Sequence, residues 1–163
     1  AHPEEFGAPI AAIAAGTAPR FAVWASRDPG TADHPGTPLE RIQIVKLSLD
    51  AAGRTQEHVY DVAGRPVTTG VVDLATCETS GAGADQLCAT WTDPGFDAAA
   101  PALYYARVVE NPSCRWVQFA CNERKVDCAG DVPSGLESCC DPAVPKIIQE
   151  RAWTSPIWWT PAR

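Results

Sequence analysis

Short runs of β-branched and aromatic residues recur along this chain, and each meets a turn-forming cluster before it reaches the length of an ordinary helix. Residues 21–25, FAVWA, stop at Asp28-Pro29-Gly30 and His34-Pro35-Gly36. Residues 39–49 form the strongest strand, with Ile42 and Ile44 on one face and Arg41, Gln43 and Val45 on the other, ended by the hairpin-type loop Asp50-Ala51-Ala52-Gly53. Residues 57–62, containing Val59-Tyr60, read as the returning strand. Residues 70–75 and 87–92 are the next two, separated by the small-residue loop Ser80-Gly81-Ala82-Gly83 and closed by Asp93-Pro94-Gly95. Residues 103–110, LYYARVVE, set Tyr105, Arg107 and Val109 against Tyr104, Ala106 and Val108, which suits a central strand with both faces partly covered. Residues 114–121, CRWVQFAC, read as a further strand, residues 122–145 as a long cysteine-bearing loop, and residues 146–151 as a helical turn. With 15 Pro and 12 Gly along the chain, the pattern predicts a mainly β protein: an antiparallel β-sandwich, immunoglobulin- or fibronectin-like, with long loops and a disulfide-bearing insertion. No internal repeat is visible.

Gln149 opens a tail, QERAWTSPIWWTP, that holds Trp153, Trp158 and Trp159, three of the six Trp residues. Each buried Trp contributes on the order of 2 to 3 kcal/mol or more. The tail is therefore expected to dock, lying against a sheet and burying its Trp side chains, with Pro156 and Pro161 restricting it to an extended or turn-like course.

The 163 residues amount to one domain of ordinary size. Residues 1–16, rich in Ala, Gly and Pro, read as a linker or lead-in, and 17–163 as the domain. Ala1 opens the chain without Met, a charged n-region or an apolar h-region, so the expectation is a processed or cloned piece. The formal charge of −7, from 13 Lys plus Arg against 20 Asp plus Glu, comes without a basic cluster and argues against nucleic acid as a partner. The apolar stretch at residues 8–15 is too short and too rich in Ala to span a bilayer.

Seven cysteines without a methionine point to structural disulfides, and hence to a periplasmic or secreted protein. Cys114, Cys121, Cys128, Cys139 and Cys140 cluster, while Cys77 and Cys88 flank the Gly-rich loop and are expected to staple it. The odd count leaves one thiol unpaired, and vicinal Cys139 and Cys140 do not easily bond to each other. The gaps of six residues between Cys114, Cys121 and Cys128 are longer than the two to four that zinc knuckles use, so no metal site is read from them.

Several segments resemble, in order, the C-terminal part of a bacterial family catalogued as domain of unknown function 3604. They are Pro19-Arg20-Phe21, Arg27-Asp28-Pro29-Gly30, LERIQIVK from Leu39, Val59-Tyr60-Asp61-Val62, Trp91-Thr92-Asp93-Pro94, Tyr104-Tyr105-Ala106-Arg107-Val108 and the Trp-rich tail. The cysteine-bearing insertion departs from many members. In that family the upstream part is similar to metal-dependent hydrolases of the polymerase and histidinol phosphatase type, which hold divalent metals through His, Asp and Glu. The resemblance implies that this chain is the β-rich C-terminal companion of such a domain, with any divalent metal held upstream. The chain's own three His residues, His2, His34 and His58, stand isolated in sequence.

No reaction is spelled out by the residues themselves. GxSxG, GxGxxG and GxxxxGK[ST] are absent. Asp33, Asp93 and Asp97 sit in Pro/Gly turns, where Asp bonds the local backbone. No catalytic, cofactor-binding or metal-binding residue is therefore assigned. Two functions from different classes remain. One is a non-catalytic accessory domain that packs on the upstream hydrolase-like domain and shapes its cleft. The other is an independent extracytoplasmic module that binds carbohydrate or peptide through exposed Trp24, Trp158 or Trp159.

Overall fold

The computed structural model describes residues 17–32 and 35–161, so the lead-in at residues 1–16, with His2, and the pair Asp33 and His34 lie outside the described residues. The elements are β1 (Arg20–Ser26), β2 (Leu39–Leu49), β3 (Thr55–Gly64), β4 (Val71–Val72), β5 (Thr79–Ser80), β6 (Gln86–Thr92), β7 (Ala102–Glu110), β8 (Ser113–Cys114), α1 (Trp116–Glu123), a 3₁₀ turn at Glu137–Cys139, β9 (Ile147–Ile148), β10 (Arg151–Trp153) and β11 (Ile157–Trp159). The chain is mainly β and antiparallel throughout, as its alternation and turn chemistry predict.

Strand β2 is the spine. It pairs with β3 on one side and β7 on the other, and the tail strands β10 and β11 both pair with the far edge of β7. Ile42, Ile44 and Val45 are buried because β2 is interior to this main sheet. A bulge lies between Ile42 and Gln43 on the β3 side. There Gly64 takes φ +84°, and a Cβ on it would stand 2.2 Å from the Glu40 carbonyl oxygen, so both the backbone angle and the space require glycine.

The second layer is the ribbon β1–β6. Phe21 of β1 and Trp91 of β6 pack on Ile44 and Tyr104 of the main sheet, with ring centroids 4.8 Å apart for Phe21 and Tyr104 and 4.7 Å for Tyr60 and Trp91. Two sheets facing each other across this aromatic core are consistent with the expected sandwich.

The tail docks on the sheet as expected. Residues 154–156 insert one extra residue between Trp153, opposite Arg107, and Ile157, opposite Tyr104. This bulge changes which side chains face inward. Trp159 lies over the core and meets Phe96 edge-on at 5.1 Å, whereas Trp153 and Trp158 point outward, 61% and 50% exposed. The expectation that the Trp side chains are buried is thereby corrected, and Trp24 and Trp116 are exposed as well.

Three local expectations are also corrected. Residues 114–121 are not one strand: Cys114 ends β8, and Trp116 begins α1, which buries Val117 and Cys121 at helical spacing. The turn expected at residues 146–151 is strand β9 followed by the start of β10. Cys77 does not bond Cys88. It bonds Cys114, while Cys121 bonds Cys139 and Cys128 bonds Cys140, leaving Cys88 free and exposed. The reason is parity along β6, which carries Cys88 opposite Trp24 on the solvent side of the ribbon. The vicinal cysteines bond different partners rather than each other.

Candidate docking face

The main sheet has two faces of different character. On the inner face, Lys46 enters the sandwich where the alternation of β2 would place an apolar residue, and it is 4% exposed. Its ammonium donates to Asp93 Oδ2 at 2.6 Å and to the Gly95 carbonyl at 2.7 Å, and the Tyr104 hydroxyl donates to the same Asp93 oxygen at 2.7 Å. Asp93 Oδ1 accepts from the Gly95 amide at 2.9 Å, the local bond expected of an Asp in a Pro/Gly turn. Burial, and then the hydrogen bond to Asp93, push the Tyr104 hydroxyl well above the usual phenol range. Every polar partner in this set is satisfied inside the sandwich, so it locks the crossover between β6 and β7 to the sheet and presents nothing to a substrate.

The outer face is built by the other alternation. Directly across the sheet run Asp61, Gln43, Arg107 and Trp153, one residue from each of β3, β2, β7 and β10. Gln43 donates to Asp61 at 2.8 Å and accepts from Arg107 Nε at 2.8 Å, which fixes the row as a chain of hydrogen bonds ending at an exposed indole. The next rows are Val59, Val45 and Tyr105, with Val45 fully buried, then Glu57, Leu47, Leu103 and Trp158. Val59 and Leu49 are each 42% exposed on this side. At the end of β2 the face opens into a groove of about 410 Å³ lined by Leu47, Leu49, Leu103 and Trp158 among others. The result is a face on which exposed apolar side chains lie to one side of a hydrogen-bonded polar row and the row of Arg41, Val109 and Arg151 lies to the other, a mixture found on surfaces that take a partner.

At the opposite end, Glu40 is a buried carboxylate. It accepts from Thr68 and Gln149, each at 2.8 Å, and is paired with Arg41. This cluster ties the start of β2 to the root of the tail. It joins ERIQIVK to QERAW in space, and the sequence alone gave no sign of the contact.

Among the described residues, no group of three or more His, Cys, Asp or Glu is placed to hold a metal. His58 lies exposed on β3, with its ring 6.3 Å from that of Tyr60. Asp97 accepts from the Ala99 amide at 2.9 Å, again a local turn bond. Among the described residues no helix is long and apolar enough to cross a membrane, and three disulfides suit an oxidising, non-cytoplasmic compartment.

Comparison with known proteins adds one finding. A family model described as a protein of unknown function matches residues 4–161. No curated protein and no solved structure matches the chain.

Proposed function

We propose, for a chain that belongs to the DUF3604 family of proteins of unknown function, the role of a non-catalytic C-terminal accessory domain. In this reading it packs on a preceding metal-dependent hydrolase-like domain of the same polypeptide, in the periplasm or outside the cell. The observation that carries the reading is the outer face of the main sheet, where Trp153, Trp158, Val59 and Leu49, one from each of four strands, are exposed. An apolar field of this kind is costly to leave in water, and a docked domain removes it. The polar row of Asp61, Gln43 and Arg107 supplies orientation, because its remaining hydrogen-bonding capacity sits at fixed positions within an otherwise greasy surface. Divalent metal, where the reaction needs it, belongs in this reading to the preceding domain.

One observation favours a second reading. Trp153 and Trp158 are exposed on the same face, Trp153 at the end of the polar row and Trp158 two rows away, and exposed indoles on one face are also how carbohydrate- and peptide-binding modules present stacking platforms. Hydroxyl-radical footprinting separates the two readings. The isolated chain and the polypeptide from the complete reading frame are oxidised in parallel, and Trp153 and Trp158 are expected to be protected in the longer product only. Equal oxidation in both defeats the docking reading. Binding of soluble oligosaccharides by the isolated chain, lost in Trp153→Ala, would put the second in its place. The isolated chain is further expected not to hydrolyse phosphate or sulfate esters with added manganese or zinc.

A further inference from the structure

Three arginines stand on the outer face of the main sheet in two adjoining rows: Arg41 of β2 and Arg151 of β10 on either side of Val109, and Arg107 of β7 between Gln43 and Trp153. They are not equivalent. Arg41 is met inside the chain, paired with Glu40 and with its Nε 3.6 Å from Asp61 Oδ1. Arg107 is held by a neutral group instead. Its Nε donates to Gln43 Oε1 at 2.8 Å, and Gln43, only 7% exposed, is itself anchored by donating to the same Asp61 oxygen at 2.8 Å. Asp61 is thus already shared between Arg41 and Gln43. Arg151 is exposed, two residues before Trp153 on the same strand. Among the described residues, the ion pairs involve neither Arg107 nor Arg151.

The placement is specific. Directly opposed residues on one face of a ladder stand about 5 Å apart and diagonal ones about 7–8 Å. Arg107 is opposite Trp153 and diagonal to Arg151, so two guanidinium groups and a 61% exposed indole form one triangle at the tail side of the sheet. With Nε fixed by a buried amide, Arg107 has lost much of its side-chain freedom before any partner arrives, and its terminal amino groups remain as a fork suited to a carboxylate. The face is therefore locally cationic on a chain whose formal charge is −7. A second copy of the chain brings the same excess of acid and is repelled at long range, whereas a local patch of carboxylate is drawn to this triangle.

We propose that the domain covering the outer face presents an Asp or Glu carboxylate to Arg107 and Arg151 beside the Trp153 indole. The pairing rests on the docking reading above and gives its partner a chemistry: an acidic side chain set among apolar ones. Exclusion of water by the surrounding contacts strengthens a charge-assisted bond of this kind and fixes the register of the two domains.

Chemical coupling in the polypeptide from the complete reading frame tests it. In Arg151→Lys, zero-length carbodiimide treatment is expected to join the introduced amine to an Asp or Glu that precedes this chain, identified by peptide mapping. In Arg107→Glu, hydroxyl-radical oxidation of Trp153 in the longer product is expected to rise by about tenfold or more, while oxidation in the isolated chain stays as in the wild type and reports an intact sheet. Coupling confined to carboxylates of this chain, or Trp153 protection indifferent to Arg107→Glu, overturns the pairing. Either result obtained with Trp153 and Trp158 still protected in the wild-type longer product leaves the docking reading standing; equal oxidation in both wild-type products removes the two together. Protection of Trp153 in the isolated chain by added oligogalacturonate, lost in Arg107→Gln, would assign the pair to an acidic sugar and overturn it as well.

Discussion

The sheet body and the cysteine-bearing lobe are held together by different physics. In the body, Ile42, Val45, Tyr104 and Val109 are each no more than 1% exposed, and long antiparallel ladders run between β3, β2 and β7. In the lobe between β8 and β9, the buried residues are Cys114, Val117 and Cys121, while Trp116 and Phe119 of α1 are 76% and 50% exposed. A stretch with so little apolar burial does not offset its conformational entropy through packing, and covalent links take that part. Cys77–Cys114 ties the lobe to the body, and the interleaved Cys121–Cys139 and Cys128–Cys140 bonds close it on itself. The same chain thus shows both ways of making a fold persist: burial where strands can stack, and cross-links where they cannot.

The largest expected effect strikes the body. Asp93→Ala leaves the Lys46 ammonium buried without its partner, and breaking a buried pair in this way costs about 3–5 kcal/mol. Urea unfolding monitored by near-UV circular dichroism measures it. The double change Lys46→Met, Asp93→Asn removes both charges and is expected to cost less than Asp93→Ala alone. The reverse order would mean that the pair, rather than the uncompensated charge, sets the cost. The next effect strikes the lobe. Removing the 18-residue closure with Cys121→Ser and Cys139→Ser costs on the order of 3 kcal/mol in the loop-entropy account. It should expose the lobe to limited proteolysis while the β2–β7 core unfolds at an unchanged urea midpoint. A shift of both midpoints together would show that the two regions fold as one unit.

How much of this was legible in the sequence follows the same division. The period of two in residues 39–49 and 103–110 gave β2, β7 and their faces, because each residue's face is fixed by its neighbour's. The helix α1 was hidden in CRWVQFAC, a run of eight that satisfies strand composition and helical spacing alike; the signal available was Val117 and Cys121, four apart. The orientation of the tail was hidden by one residue. Without the bulge at 154–156, Trp153 and Ile157 would share a face, and the extra residue sends Trp158 outward in place of Ile157. Disulfide partners were not legible because Cys77 finds Cys114 across 37 residues through the fold rather than through spacing. Lys46 was a readable oddity, a charge inside Ile44-Val45-Lys46-Leu47, but its partner on a distant turn was not.

Two smaller effects sharpen the contrast between the inner and outer faces. Trp159→Ala removes a ring packed on the core and is expected to destabilise the isolated chain by about 3 kcal/mol. Trp158→Ser, one residue earlier on the exposed face, should stay within about 0.5 kcal/mol. Equal losses would mean that the outer face is packed in the isolated chain and would weaken the docking proposal with it. The smallest effect is a gain. Burial, then repulsion from Glu150 and Asp28, raises the Glu110 carboxyl above its ordinary value. A carboxyl whose folded pKa is raised favours the native state only while it is protonated. That contribution is complete below the unfolded value and is lost as pH rises through the raised one. At pH 7 the charge is therefore a burden, and among the described residues the Glu110 side chain makes no hydrogen bond or ion pair that glutamine would forfeit. Glu110→Gln should raise the melting temperature at pH 7 by a few degrees, with the advantage fading as pH falls through the carboxylate range. Differential scanning calorimetry across pH 3 to 8 reads it directly, and an advantage that persists at the acid end would assign the gain to packing instead of charge.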